Sequence, residues 1–302
     1  MQPSASSLRE FGVLLDALRG VAWPARRAVQ AGSAGTHKSR LRGLSAEFTE
    51  YRPYRQGDDS RRLDWKLLAR TDRAYLRITR DRATLGTMIV VDASPSMAFP
   101  AATREKWRQA CRLALGLAAV AHGSGDAVGI VIAGAARSLR LAARTRRGVI
   151  GDIVRVLDAA EPEPRQAPAD ETSLAGALAA LRGTPRIAIV SDFLSGEAPL
   201  LKEARTLAAS GTELCAVHVV AARELAPEPR TVLATDPEAP DHRRPLTPDA
   251  QPQYRAAFDA WRAALAREWR SAGAAYAEVR DDEAAARAVR RIVAPAVAGL
   301  HA

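Results

Sequence analysis

Four short apolar runs, separated by stretches of helical periodicity, constrain the fold more than any other feature of this chain. The first, Met88–Val91, runs without alternation into Asp92, and comparable runs cover 126–133, 186–192 and 213–219. A short apolar run without alternation fits a strand buried on both faces of a parallel sheet. The segments between them supply the helices. Residues 104–122 repeat Trp107, Cys111, Leu115 and Ala118 at helical spacing, and 149–157, 173–182 and about 199–209 also read as helices. Residues 254–270 bring Tyr254, Phe258, Trp261, Leu265 and Trp269 to one side, and an earlier helix over about 7–20 has Leu8, Phe11, Leu14, Leu15 and Leu18 on one face. Strands alternating with helices predict an α/β fold with a doubly wound, largely parallel sheet and right-handed crossovers. Residues 137–141 read as an antiparallel edge strand, 275–279 as a short final strand, and 73–79 as an alternating strand leading into the first run. Residues 223–252, rich in proline and acid, read as an insertion or long loop.

The end of the first run carries the chemistry. Asp92-Ala-Ser94-Pro-Ser96 puts a carboxylate and two hydroxyls within five residues. In open α/β sheets, ligands bind beyond the carboxyl ends of the strands. Three hard oxygen donors, without sulfur or imidazole, suit Mg2+, which keeps waters and an open position. A plainer reading is a polar turn in which Ser94 or Ser96 caps the next helix. Two later segments add to the set: Thr172 lies in a loop entering a helix, and Asp192 closes the run 186–192. No histidine, lysine or further clustered carboxylate is expected beside these residues, which argues against a hydrolase. His37, His122, His218, His242 and His301 form no spaced metal pair.

The net charge of +10 is concentrated: residues 1–86 hold 17 basic against 9 acidic residues, a balance of +8. Such a segment suits an acidic protein surface, anionic lipid or nucleic acid. No nucleic-acid motif and no basic run interleaved with stacking aromatics is present, so no nucleic-acid partner is expected. Arginine outnumbers lysine 40 to 4 across the chain, a bias that coding composition also produces. Cys111 and Cys215 sit in separate apolar settings and read as buried thiols. No window approaches 18 consecutive apolar residues, and the first residues lack a signal-peptide pattern, so the expectation is a soluble cytoplasmic bacterial protein with no membrane span.

The stretch Arg52-Pro-Tyr54-Arg55-Gln-Gly57-Asp58-Asp59-Ser-Arg61-Arg62-Leu63-Asp64-Trp65, followed by Ala69-Arg70, packs charges, aromatics and a turn together. Its arginines have carboxylates close by in sequence, and Trp65 reads as an apolar anchor, so an internal Arg–carboxylate clasp is one reading and a second interaction site the other. Together with Asp92-x-Ser94-x-Ser96 downstream, this stretch resembles the bacterial DUF58 family over roughly residues 35–295. One departure is Gln56, where that family often has proline. The set Asp92, Ser94, Ser96, Thr172 and Asp192 resembles the metal-ion-dependent adhesion site of von Willebrand factor type A domains. The resemblance implies a von Willebrand A-like domain over 86–300 behind a basic extension over 1–85. It implies Mg2+ (or Mn2+) held by those five residues, with a partner protein supplying an Asp or Glu to the metal. It also implies a non-enzymatic assembly or chaperone-like factor working with a MoxR-type AAA+ ATPase. A metal-assisted hydrolase, and a metal-independent scaffold binding through the basic segment (Arg52, Arg55, Asp58, Arg61, Asp64, Trp65, Arg70), stand as alternatives.

Overall fold

A computed structural model describes residues 5–25, 34–38, 48–55, 58, 63–79, 82–162, 172–194, 197–228, 230–237 and 241–294. The chain divides into two compact units, Pro24–Leu85 and a larger one formed by Met1–Trp23 with Gly86–Ala302. Helix α1 (Ala5–Ala17) belongs to the larger unit, where Phe11, Leu14 and Leu18 join its core. Trp23 fixes the chain beyond it: its N–H donates to Ser124 Oγ at 3.0 Å, and its ring lies under the Arg186 guanidinium at 4.6 Å.

The smaller unit contains two antiparallel pairs. Strand β1 (Ala34–Lys38) pairs with β4 (Arg82–Ala83), and β2 (Phe48–Pro53) pairs with β3 (Tyr75–Thr79). Between β2 and β3 lies the seven-residue helix α2 (Trp65–Thr71), capped by the Asp64 carboxylate, which accepts from the N–H groups of Lys66 and Leu67. No residue of α2 is buried. Trp65 is 64% exposed, which overturns its expected role as an apolar anchor. A helix of two turns with no buried residue leaves its aromatic residue facing water.

The larger unit is built on a six-stranded sheet in the order β12-β9-β8-β5-β6-β7. Its strands are β5 (Gly86–Asp92), β6 (Ala127–Ala133), β7 (Leu139–Arg144), β8 (Arg186–Ser191), β9 (Glu213–Val220) and β12 (Ala275–Arg280). All neighbours are parallel except the edge strand β7, which runs antiparallel to β6. Helices α3 (Glu105–Gly123), α4 (Val149–Asp158), α5 (Leu174–Ala179), α6 (Glu197–Ala209), α8 (Gln251–Ser271) and α9 (Ala285–Val293) fill the connections. Ile89 and Val91 face the core shared with α1, α3, α4 and α9, whereas Met88 and Val90 face the core shared with α5, α6 and α8. An uninterrupted apolar strand is what burial on both faces demands. The doubly wound α/β architecture is therefore the one expected.

Helix α5 is shorter than the sequence suggests and starts after Ser173, whose hydroxyl accepts from the Gly176 N–H. The acidic, proline-rich segment also departs from a plain loop. It contains the single turn α7 (Ala222–Leu225) and a hairpin of β10 (Val232–Thr235) with β11 (Arg243–Leu246). Cys111 and Cys215 are buried free thiols.

Candidate metal centre

In chain order β5 is followed on one side by β6 and β7, and the chain then returns to lay β8 along its other side. The crevice beyond the carboxyl end of β5 is thus a topological switch point, where such sheets bind ligands. Asp92 is the last residue of β5, opposite Ala133 of β6. The Ala93 N–H still donates to the Ala133 carbonyl at 2.7 Å, after which a 3₁₀ turn (Pro95–Ala98) carries the chain away. Met97, fully buried in the core shared with α3, anchors that turn. The Ser94 and Ser96 hydroxyl oxygens are left 3.1 Å apart. Neither caps a helix: α3 begins after Arg104, with no side-chain cap.

Thr172 and Asp192 arrive from the other strand connections. The Thr172 carbonyl accepts from the Gly134 N–H at 2.6 Å. Gly134 has φ +89°, and a Cβ added there would fall 2.4 Å from Asp92 Oδ1, so only glycine allows the two segments to meet. Ser191, one residue before Asp192, donates its hydroxyl to Asp92 Oδ2 at 2.6 Å. All five residues expected at the site therefore converge at one end of the sheet. Of the basic segment, Arg52 pairs with Asp58 at 2.7 Å, and Asp58 also accepts from the Arg55 N–H at 2.8 Å. The hydrogen bond from Arg52 holds the Asp58 carboxyl below its ordinary range. Asp64 caps α2, Arg55 and Arg70 are exposed, and Gly57, Asp59, Arg61 and Arg62 fall outside the described residues.

The electrostatics of the centre are uneven. Asp92 is 1% exposed, accepts only from neutral donors (the Ser94 N–H at 2.9 Å and the Ser191 hydroxyl), and makes no ion pair among the described residues. Burial, with the Asp192 charge nearby, pushes its carboxyl up to about 7. Thr172 Oγ1 is buried without a hydrogen-bond partner. A buried charge without a counter-ion and a buried oxygen without a donor both cost free energy until something satisfies them. The residues present thus fit a small hard cation: a carboxylate, three hydroxyl oxygens and a second carboxylate, with a cation's worth of charge outstanding.

Sequence reasoning missed Lys106 and Glu224, and the expectation of no lysine or extra carboxylate beside the site is corrected. The Lys106 ammonium is fully buried and donates to Asp192 Oδ2 at 2.6 Å and to Glu224 Oε1 at 2.8 Å. Burial pulls the ammonium down, but the two carboxylates outweigh it and hold it above its ordinary value. Burial pushes Glu224 up, with Lys106 opposing. One signal was available. Lys106 is the second residue of α3, where the helix dipole disfavours a cation, so a lysine buried there needs a carboxylate partner. Behind the centre, His218 Nδ1 lies 2.6 Å from the Tyr276 hydroxyl, and burial pushes this imidazole down to about 3.

Comparison with known proteins places these observations in a family. The chain is 31% identical over 275 residues to the uncharacterised protein Mb1516 of Mycobacterium bovis, covering 89% of this chain and 85% of the relative. Among solved structures, BatB from Bacteroides thetaiotaomicron aligns with a TM-score of 0.45 at 16% identity, covering 69% of this chain and 97% of BatB. The VWA domain of SpRpn10 aligns with a TM-score of 0.39 at 13% identity, covering 73% of this chain and all of that domain. The family model described as "Protein of unknown function DUF58" matches residues 50–268, and the chain belongs to the DUF58 family.

Proposed function

We propose that the carboxyl end of β5 holds Mg2+ (or Mn2+) and that the protein uses it to capture an Asp or Glu side chain of a partner protein. The observation that carries this reading is the pairing of a buried, cation-free Asp92 with a buried, unpartnered Thr172 hydroxyl in one crevice. Ser94, Ser96 and Thr172 would supply neutral oxygens, and Asp92 and Asp192 the negative charge. When bound, the ion supplies an electrophilic position open to an anionic oxygen. The arrangement favours binding over hydrolysis. Lys106 is held protonated by two carboxylates, and His218 is a buried neutral imidazole engaged with Tyr276, so neither is poised as a base at neutral pH.

The family resemblance extends the reading to an assembly or chaperone-like factor in the cytoplasm, with a MoxR-type AAA+ ATPase as the partner to test first. Two buried free thiols are in keeping with a reducing compartment. Among the described residues no helix is long and apolar enough to cross a membrane. The test is a pull-down with wild type in Mg2+, wild type in EDTA and Asp92→Ala in Mg2+. A protein retained only in the first arm supports metal-mediated recognition. A partner retained equally in all three arms overturns it.

A second reading, binding through the basic N-terminal segment without metal, is favoured by one observation. Trp65 is 64% exposed, and Arg55, Lys66, Arg70 and Arg73 are exposed without an ion pair to any described residue. An exposed tryptophan in a segment carrying exposed cations suits an acidic protein surface. Retention of the partner in EDTA, lost on Trp65→Ala with Arg70→Glu, would establish this reading in place of the first.

A further inference from the structure

Lys106 is a lysine where the fold asks for none. It occupies the first turn of α3, against the helix dipole, and it is entirely buried. Its ammonium lies between two carboxylates 32 residues apart in sequence, Asp192 after β8 and Glu224 in α7, at 2.6 and 2.8 Å. Asp192 Oδ1 accepts from the Leu194 N–H at 3.2 Å, so the protein engages both oxygens of Asp192, one of them with a full positive charge. Asp92 differs: both its oxygens are engaged by neutral donors only. Glu224 is fixed in turn, its other oxygen accepting from the Ala221 N–H at 2.8 Å. The two site aspartates therefore have opposite electrostatic states. Among the described residues Asp92 has no cation beside it, and Asp192 has Lys106.

We infer that Lys106 is a positioning residue that withholds the charge of Asp192 from the metal, trading affinity for the divalent ion against affinity for the partner's carboxylate. The inference rests on the metal reading above. A site in which both aspartates were fully available would bind the cation tightly and leave it largely neutralised. With Asp192 committed to Lys106, the cation faces about one uncompensated carboxylate and keeps the positive charge that draws an anionic ligand. Glu224 sets the strength of the device, because it shares the ammonium with Asp192.

The charge argument predicts opposite signs for two neighbouring substitutions, whereas a purely structural role predicts losses for both. Lys106→Met keeps length and apolar stem and removes the charge. It should tighten Mn2+ binding by about tenfold or more, a unit charge removed from a dry site beside a divalent ion. Glu224→Gln leaves the ammonium unopposed except by Asp192 and should weaken Mn2+ by several-fold. Mn2+ alone is the probe, followed by loss of its free six-line EPR signal, with far-UV circular dichroism to confirm folding. On the Mn2+-loaded proteins, titration with N-acetylglutamate, followed by displacement of metal-bound water in proton relaxation, should show weaker capture by Lys106→Met. Where Lys106→Met alone fails to fold, the same change on the Glu224→Gln background leaves only Asp192 uncompensated and should still tighten Mn2+ relative to Glu224→Gln. Tightening in either background, with weaker N-acetylglutamate capture, supports the inference. A folded Lys106 variant that binds Mn2+ no better than its parent overturns the inference while leaving the metal reading intact. Wild type that binds no Mn2+ at millimolar concentration overturns the metal reading itself.

Discussion

Asp92→Asn should stabilise the metal-free protein at pH 8 and abolish its response to Mg2+. Asp92 is fully buried with no cation beside it among the described residues, and its carboxyl is raised from the ordinary 3.8 to about 7. A group raised in the folded state contributes stability that is complete below its unfolded pKa and is lost as pH rises through its folded pKa. The window here runs from 3.8 to about 7. Across it, at about 1.4 kcal/mol per pH unit, the native state loses about 4 kcal/mol. Asparagine removes that loss and keeps most of the hydrogen bonding: its oxygen replaces Oδ1 as acceptor of the Ser94 N–H, and its amide can donate to Ser191 Oγ, which now accepts only from the Phe193 N–H. Re-pairing costs about 1–2 kcal/mol, so the net gain at pH 8 is about 2–3 kcal/mol. In a chain of 302 residues that corresponds to a rise in Tm of roughly 3–5 °C. The assay is thermal unfolding of both proteins in EDTA at pH 8 and pH 5, then at pH 8 with Mg2+. Near pH 5 wild type recovers about 3 kcal/mol and the advantage of Asn disappears. Added Mg2+ should raise the Tm of wild type alone. An Asn variant that melts below wild type in EDTA at pH 8, or an offset that does not change between the two pH values, would refute the reasoning.

Thr172→Val replaces a buried hydroxyl without a partner by a methyl of the same shape; it should leave the metal-free protein as stable or about 1 kcal/mol more stable in urea, while Mn2+ affinity falls. Gly134→Ala places a Cβ 2.4 Å from Asp92 Oδ1 at φ +89° and should cost about 2–3 kcal/mol and weaken Mn2+ together, a pairing that combined urea titration and EPR would show. Arg186→Met leaves Asp126, fully buried, and Glu213 facing an apolar stem at the opposite end of β8; it should cost about 3–5 kcal/mol in urea yet leave Mn2+ affinity unchanged in the folded protein.

The sheet, and the turn that carries Asp92, Ser94 and Ser96, were legible because both are written locally. Met88–Val91 shows its two-faced burial in its own composition, and Asp92, Ser94 and Ser96 follow within one turn. What escaped was written over distance or carried by context. Lys106 and Glu224 are 118 residues apart, and Glu224 lies in a segment that reads as a loop. The hairpin of β10 and β11 was hidden because Val232–Thr235 and Arg243–Leu246 are short, mostly exposed and without alternation, so neither periodicity nor an apolar run marks them. Trp65 misled for the opposite reason. Its residue type suggests burial, but burial depends on what the chain lays over it, and α2 has no buried residue.

The two ends of β8 show how this protein treats buried charge, and the contrast is the strongest argument that the crevice beyond β5 is built for a ligand. At the amino end, Arg186 is 1% exposed and fully answered: Asp126 and Glu213 at 3.2 Å, the Trp23 carbonyl at 3.3 Å, and the Trp23 ring beneath its plane. At the carboxyl end, Lys106 and Asp192 answer each other just as completely. Asp92, equally buried and bonded to Ser191, the neighbour of Asp192, is given hydrogen bonds and, among the described residues, no cation. With 44 basic residues in the chain, and cations placed against Asp126, Glu213, Asp192 and Glu224, the lack of one beside Asp92 among the described residues is not for want of basic side chains. Substituting a resident cation at that position is therefore a direct test. Thr172→Lys, reaching into the crevice beside Asp92, should remove the loss of stability that wild type shows between pH 5 and pH 8 in EDTA, and abolish Mn2+ binding, because the lysine supplies the charge the ion would. A folded Thr172→Lys protein that still binds Mn2+ like wild type would place the ion elsewhere.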